Sequence, residues 1–226
     1  MNLFVDITSD NTQDELDALI AAGNTPMVRS GNFHVHGSAT VDAYGSATIR
    51  AYDSATVRAY DSATVRAYGS ATVRASDSVM VRASGSSTVE ALRSATVEAH
   101  GTAMVQAHDS ATVKAYGTAT VEAHDSVTVR AHNLSRVSAY GSATVSAYGT
   151  VAVDAHVSVT VRAYVYSEIE AHDFVTVTAY DSANVMLYDS AKAIAYDSAM
   201  VKAYDSAQVE VHDSASVHLH DSAMSV

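Results

Sequence analysis

The chain has 226 residues, a net charge of −12 and no cysteine. The lack of cysteine excludes disulfides and thiolate chemistry, and the acidic balance disfavours nucleic acid and anionic membranes as partners. No apolar run approaches the length of a membrane span, and residues 1–6 lack the basic start of a signal peptide. We therefore expect a cytoplasmic protein that binds neither nucleic acid nor membrane.

Residues 1–35 precede the regular part of the chain and are predicted to form an N-terminal cap. A short helix is predicted over residues 13–22, because Asn11-Thr12 can cap its start and Gly23 can end it. An entry coil follows, in which Phe33 already occupies an apolar position of the alternation that marks the later strands. A cap is expected because the end of a stacked-strand protein exposes unpaired edges. A docking helix for a partner is the alternative.

An octapeptide repeat occupies residues 36–226 and is clearest as Tyr-Asp-Ser-Ala-Thr-Val-Arg-Ala at residues 52–59. We label its positions a to h, so that Tyr52 is a. Position f is Val or Ile in 22 of 24 octads, d and h are mostly Ala, and e and g are polar. This alternation predicts a strand over d–h with one buried face. Positions a–c form a corner, where Asp or Gly at b tolerates positive φ and the hydroxyl at c can bond to backbone.

An eight-residue unit cannot bury its own apolar face, so the octads must stack. The small inward Ala and Val side chains fill the gap of about 10 Å between two facing sheets. The predicted fold is therefore all-β, a parallel β-solenoid with two octads per coil. Odd and even octads look alike, which leaves three octads per coil open as an alternative. Between residues 132 and 175 the repeat is least regular: Leu134, Tyr166 and Phe174 replace the corner hydroxyl, and Val157 and Val165 replace Asp or Gly at position b. We expect a distorted corner or a local interface there.

The corner Tyr44-Gly45-Ser46 returns at residues 68–70 and 140–142. With the tyrosine ladder that it implies, it resembles the octapeptides of bacterial ice-nucleation proteins. The resemblance covers residues 36–226 and implies a β-solenoid with tyrosine and serine ladders and two octads per coil. In that family two outward Thr flank one inward residue, whereas here the matching pair is Thr56 and Arg58.

Three patterns could suggest chemistry, and we interpret each of them as structural. His-Asp-Ser recurs at residues 108–110, 124–126, 212–214 and 220–222, but consecutive corner residues point apart and cannot converge as a triad. The Asp residues at the corners offer one calcium ligand per corner, whereas six to eight are needed. His212, His218 and His220 could bind a transition metal, which is the weaker interpretation. We predict no catalytic, cofactor or metal site, and no enzyme.

The predicted function is a non-enzymatic repeat scaffold that presents Tyr/His, Asp and Thr ladders to an unknown protein or polymer. An ice-binding protein and an acidic DNA mimic are the two alternatives. The octads after residue 180 have apolar outward residues beside tyrosines, and the last octad is incomplete, so a homodimer through the C-terminal coils is expected. The predicted interface residues are Met186, Tyr188, Ile194, Tyr196 and Leu219.

Overall fold

The protein is a parallel β-solenoid with one short helix, as seen in a computed structural model that describes residues 5–225. Within each compact unit of the repeat, a strand pairs with the second strand after it along the chain, so that Thr56 lies beside Thr72. The predicted coil of two octads is therefore confirmed. Residues 1–112 and 113–226 form two compact units, and strand β13 (Thr112–Ala115) contains the point of division. Within residues 5–225 there is no helix with the length and apolar sequence that a membrane span needs.

The first unit contains two parallel sheets that face each other. We number the strands along the chain. Sheet 1 consists of β1 (Asp6–Ile7), β2 (Met27–Val28), β4 (Thr40–Ala43), β6 (Thr56–Ala59), β8 (Thr72–Ala75), β10 (Thr88–Ala91) and β12 (Met104–Ala107). Sheet 2 consists of β3 (Asn32–Val35), β5 (Thr48–Ala51), β7 (Thr64–Ala67), β9 (Met80–Ala83) and β11 (Thr96–Ala99). Successive octads therefore alternate between the sheets.

The helix α1 (Gln13–Ala21) lies against the edge of β3. Thr12 and Glu15 form a reciprocal capping box at its start, as the sequence indicates, and Gly23 after its end has φ +79°. The side-chain amide of Gln13 accepts a hydrogen bond from His34 N at 2.9 Å and donates one to His34 O at 2.8 Å. Gln13 thus gives this edge the partners that a further strand would supply.

The second unit repeats the same arrangement. Sheet 3 consists of β14 (Thr120–Ala123), β16 (Arg136–Ala139), β18 (Ala152–Ala155), β20 (Glu168–Ala171), β22 (Asn184–Leu187), β24 (Met200–Ala203) and β26 (Ser216–Leu219). Sheet 4 consists of β15 (Thr128–Asn133), β17 (Thr144–Gly149), β19 (Thr160–Tyr164), β21 (Thr176–Ala179), β23 (Lys192–Ala195), β25 (Gln208–Val211) and β27 (Met224–Ser225).

The core of each unit is built from the inward positions d, f and h. In the octad of Val145, the inward Ala143, Val145 and Ala147 have no exposed surface, while the outward Ser146 is half-buried. Two facing layers of Ala and Val leave little space between them, which is why two octads suffice for one coil.

The corners have the same backbone in every type of octad. Position b has φ between +56° and +93° whether it is Asp, Gly, Asn or Arg. Val157 and Val165 also adopt this conformation, with φ of 71° and 61°. The expected distortion is therefore wrong for these two corners, because the bonds between coils hold the backbone even against the preference of a β-branched residue.

Candidate functional site

The corner side chains bond to the neighbouring coil. The carboxylate of Asp197 accepts a hydrogen bond from Asp181 N at 3.2 Å, and the hydroxyl of Ser198 donates to Asp181 O at 2.8 Å. The same pair of bonds recurs in unit 1, where Asp53 accepts from Gly37 N and Ser54 donates to Gly37 O. Asp and Ser at the corners thus satisfy backbone groups at the bend, across coils rather than within one corner.

This arrangement accounts for the His-Asp-Ser motif at residues 212–214. Ser214 donates to Asp197 O at 2.6 Å, Asp213 accepts from Asp197 N at 3.5 Å, and His212 contacts Glu210 at 2.8 Å. The three side chains have separate partners and do not converge on one hydroxyl, as a catalytic triad requires.

Aromatic side chains at position a form two stacked rows in unit 2. Ring centroids are 4.7–5.3 Å apart and the planes differ by 5–14°. Because neighbours cover both faces of most rings, the rows expose ring edges rather than a flat platform for sugar stacking. Row I contains Tyr116, His132, Tyr148, Tyr164, Tyr180, Tyr196 and His212. Row II contains His124, Tyr140, His156, His172, Tyr188, Tyr204 and His220.

Sorting of alternate octads into two sheets separates charges that look mixed in the sequence. On sheet 3 the outward residues include Asp154, Glu168 and Glu170, whereas on sheet 4 Arg130 and Arg162 are exposed. The separation is one of net charge, since Arg136 and Lys202 also lie on sheet 3 and Glu210 on sheet 4. Burial and then the nearby charge of Arg130 lower the pKa of His132. Odd and even octads thus differ in outward charge, contrary to the sequence-based expectation.

The least regular octads place three large apolar side chains in solvent. Leu134, Tyr166 and Phe174 replace the corner hydroxyl and are 60%, 65% and 72% exposed. Leu134 directly follows β15 and Tyr166 lies two residues after β19, so both lie beside sheet 4. Phe174 belongs to a corner that leads into sheet 4 from the other side.

The predicted interface residues are divided between two surfaces. Met186 lies on sheet 3 between Glu170 and Lys202, whereas Ile194 lies on sheet 4 between Thr178 and Glu210. These two apolar residues therefore do not form one patch.

The remaining interface residues lie in the rows or near sheet 3. Tyr188 stacks in row II and donates to the sulfur of Met186 at 3.7 Å, while burial and then the charge of Glu170 raise its pKa. Tyr196 stacks in row I. Leu219 is 42% exposed, although position h is buried in most other coils.

A histidine–aspartate group, which the sequence analysis did not single out, lies where sheet 3 meets row II. Asp154 Oδ1 is 2.8 Å from His156 Nε2 and 3.8 Å from His172 Nε2. The two imidazoles belong to successive coils and stack at 4.7 Å. The signal in the sequence is Asp-x-His followed by a second His two octads later, which has meaning only when the coil length is known.

The weaker metal interpretation at the C-terminal histidines is not supported by their positions. His212 stacks on Tyr196 in row I, whereas His220 stacks on Tyr204 in row II. The two imidazoles thus lie in different rows.

Comparison of the chain with protein families, with curated proteins and with solved structures gives no match.

Proposed function

We propose that the chain is a non-enzymatic scaffold that binds an extended, acidic protein segment along sheet 4 of the second unit. The proposal is supported first by the corners, whose Asp and Ser groups are engaged in bonds between coils. The outward faces of the sheets are then the main surface on which a partner can act.

The observation that carries the proposal is a basic and apolar patch on sheet 4. Arg130 and Arg162 are exposed on β15 and β19, and Leu134 and Tyr166 are exposed at the ends of the same strands. Position b carries no acidic residue between Asp125 and Asp173, so the patch is locally basic although the chain is acidic. Arg and Tyr are enriched at protein interfaces, and the charge selects an acidic partner.

The test is binding of labelled poly-glutamate, measured by fluorescence anisotropy at two salt concentrations. We expect binding that weakens with salt and a loss of at least tenfold in the double variant R130E/R162E. The control R66E changes an exposed arginine of sheet 2 and should bind as the unmodified chain does. No binding by the unmodified chain, or equal binding by the double variant, would refute the proposal.

An ice-interacting protein is the second candidate, because four threonines lie side by side on the same face. Thr128, Thr144, Thr160 and Thr176 are neighbours in register on sheet 4. The outward residues at position g, two residues further along the same strands, form no such row of threonines, because Arg130 and Arg162 are among them. Inhibition of ice recrystallisation that is lost in T144K would favour this candidate, and inactivity of the unmodified chain would reject it.

An acidic DNA mimic is the third candidate, and the Asp residues after residue 180 favour it. Along each edge these residues recur once per coil, about 4.8 Å apart, whereas successive phosphates of one DNA strand rise about 3.4 Å. This mismatch makes it the weakest of the three. Release of DNA from a DNA-binding protein by the chain would be required to retain it.

We also propose a homodimer through the C-terminal coils, supported by the outward Met186 and Ile194 and by the exposed Leu219. Because Met186 and Ile194 lie on different sheets, one two-fold contact covers only one of them. Light scattering at micromolar concentration should give twice the monomer mass. M186K and I194K then identify the sheet in contact, and a monomer mass for the unmodified chain would refute the dimer.

A further inference from the structure

We propose that Asp154, His156 and His172 bind one divalent transition metal ion, such as Zn²⁺, which links two successive coils of the second unit. The three ligand atoms lie within 4.8 Å of one another. Asp154 and His156 belong to one coil and His172 to the next, so a shared ion would join neighbouring turns of the solenoid.

The carboxylate oxygen of Asp154 is the observation that distinguishes this group from the other histidine–carboxylate pairs. Oδ1 of Asp154 is buried and has no hydrogen-bond donor among residues 5–225, although His156 Nε2 is 2.8 Å away. In the pair formed by Glu210 and His212, a contact of the same length is a hydrogen bond. A buried oxygen without a donor is costly, and a metal ion would satisfy it.

Both imidazoles lie in row II with a tyrosine on either side of the pair. His156 stacks on Tyr140 at 5.3 Å and His172 stacks on Tyr188 at 4.8 Å. Ligands about 2.0–2.1 Å from a tetrahedral ion are roughly 3.3 Å apart. The observed separations of 2.8 and 3.8 Å from the carboxylate oxygen bracket this value. The two ring planes differ by 9° and their in-plane lone pairs run side by side, so one imidazole must turn out of the stack for both to bind the same ion.

Asp189 occupies the position of an orienting residue. The Oδ2 atom of Asp189 is 4.0 Å from Nδ1 of His172, which is the ring nitrogen that does not face Asp154. The same Oδ2 atom accepts a hydrogen bond from Asp173 N at 3.2 Å. Histidine ligands commonly have a carboxylate at the second ring nitrogen, which sets the ring orientation and raises its basicity.

The donor set selects the class of ion. Two imidazole nitrogens and one carboxylate oxygen suit Zn²⁺ and neighbouring transition metals, whereas Ca²⁺ and Mg²⁺ require oxygen ligands. The side chains of Asp154, His156 and His172 are 47%, 30% and 27% exposed, so an ion can enter from solvent and keep water as a further ligand. A depression of about 250 Å³ on sheet 3, lined in part by Asp154 and Glu170, adjoins the group.

The test is titration of the untagged, chelator-treated chain with ZnCl₂ against a chromophoric zinc indicator. We expect one Zn²⁺ per chain and a loss of affinity of at least 100-fold in H172Y. Tyrosine is the commonest residue at position a, so this change keeps the aromatic stack and the fold, which circular dichroism checks. The control H100Y removes a histidine of the first unit that is paired with Glu98, and it should bind zinc within twofold of the unmodified chain.

Two further measurements separate a built site from loose surface binding. Electron paramagnetic resonance of the Cu²⁺-loaded chain should show coupling to two imidazole nitrogens. D189N should bind zinc about tenfold more weakly, and an unchanged affinity would overturn the role assigned to Asp189. The metal site itself is overturned if zinc does not bind stoichiometrically, or if H172Y binds as tightly as the unmodified chain.

Discussion

Replacing Val157 by Asp should stabilise the protein, because this corner holds a β-branched residue at a φ of 71°. The left-handed conformation costs an ordinary L-residue about 1–2 kcal/mol, and Asp tolerates it better. The backbone of the corner is otherwise regular, since Ser158 N donates to Gly141 O at 2.9 Å. The new carboxylate can accept a hydrogen bond from Gly141 N, as Asp197 does from Asp181 N, and such a bond contributes about 1 kcal/mol. The expected gain is therefore about 2 kcal/mol.

The reverse exchange supplies the matched test. Asp197→Val removes the bond to Asp181 N and places a β-branched residue at a φ of 57°, so it should destabilise by about 2 kcal/mol. Both variants are compared with the unmodified chain by urea and thermal unfolding in the presence of a chelator. If the chain unfolds cooperatively, each change shifts the melting temperature by about 4 °C or more, in opposite directions. A destabilising V157D or a neutral D197V would refute the account of the corners.

Three other changes test the core, the helix contact and an ion pair. Val145→Asp buries an unpaired charge and should lower the free energy of unfolding in urea by several kcal/mol. Ser146→Asp on the outward face should change it little. Equal effects would refute the assignment of inward and outward residues in this strand. Gln13→Ala should speed hydrogen exchange of the β3 amides, and unchanged protection would mean that the helix does not protect this edge. The hydrogen bond from Arg82 holds the pKa of Glu98 below its ordinary value. The stability that this ion pair contributes is therefore present above the unfolded carboxyl pKa of about 4.3 and is lost as the pH falls through the lower folded pKa. Arg82→Gln should therefore lower stability at pH 7 but not at pH 2, and a loss of stability that persists at pH 2 would contradict the ion pair.

Much of the fold follows from the repeat itself. The alternation around Val57 predicts the buried and outward faces of each strand, and Asp53 at position b predicts the left-handed corner. The helix start at Thr12 is also visible, because capping depends on a few adjacent residues. These features are local, so their signals lie within a short stretch of sequence.

The candidate surfaces were harder to predict. Met186 and Ile194 look like neighbours in the sequence, but they lie on different sheets. Asp154 and His172 are distant in the sequence and meet only because one coil contains two octads. The apolar positions of the repeat are alike in odd and even octads, and the difference in outward charge between them becomes visible only when the octads are sorted by sheet.

The sequence by itself thus determined the strand phase, the corner chemistry and the stacking of octads, since these depend on each octad's own alternation of apolar and polar residues. The sequence favoured two octads per coil but left three open, and the tertiary structure decided between them, because pairing is set by how two layers of Ala and Val fill the space between the sheets. That pairing gives the two sheets of the second unit outward faces of different net charge and places two histidines of successive coils beside one buried carboxylate oxygen.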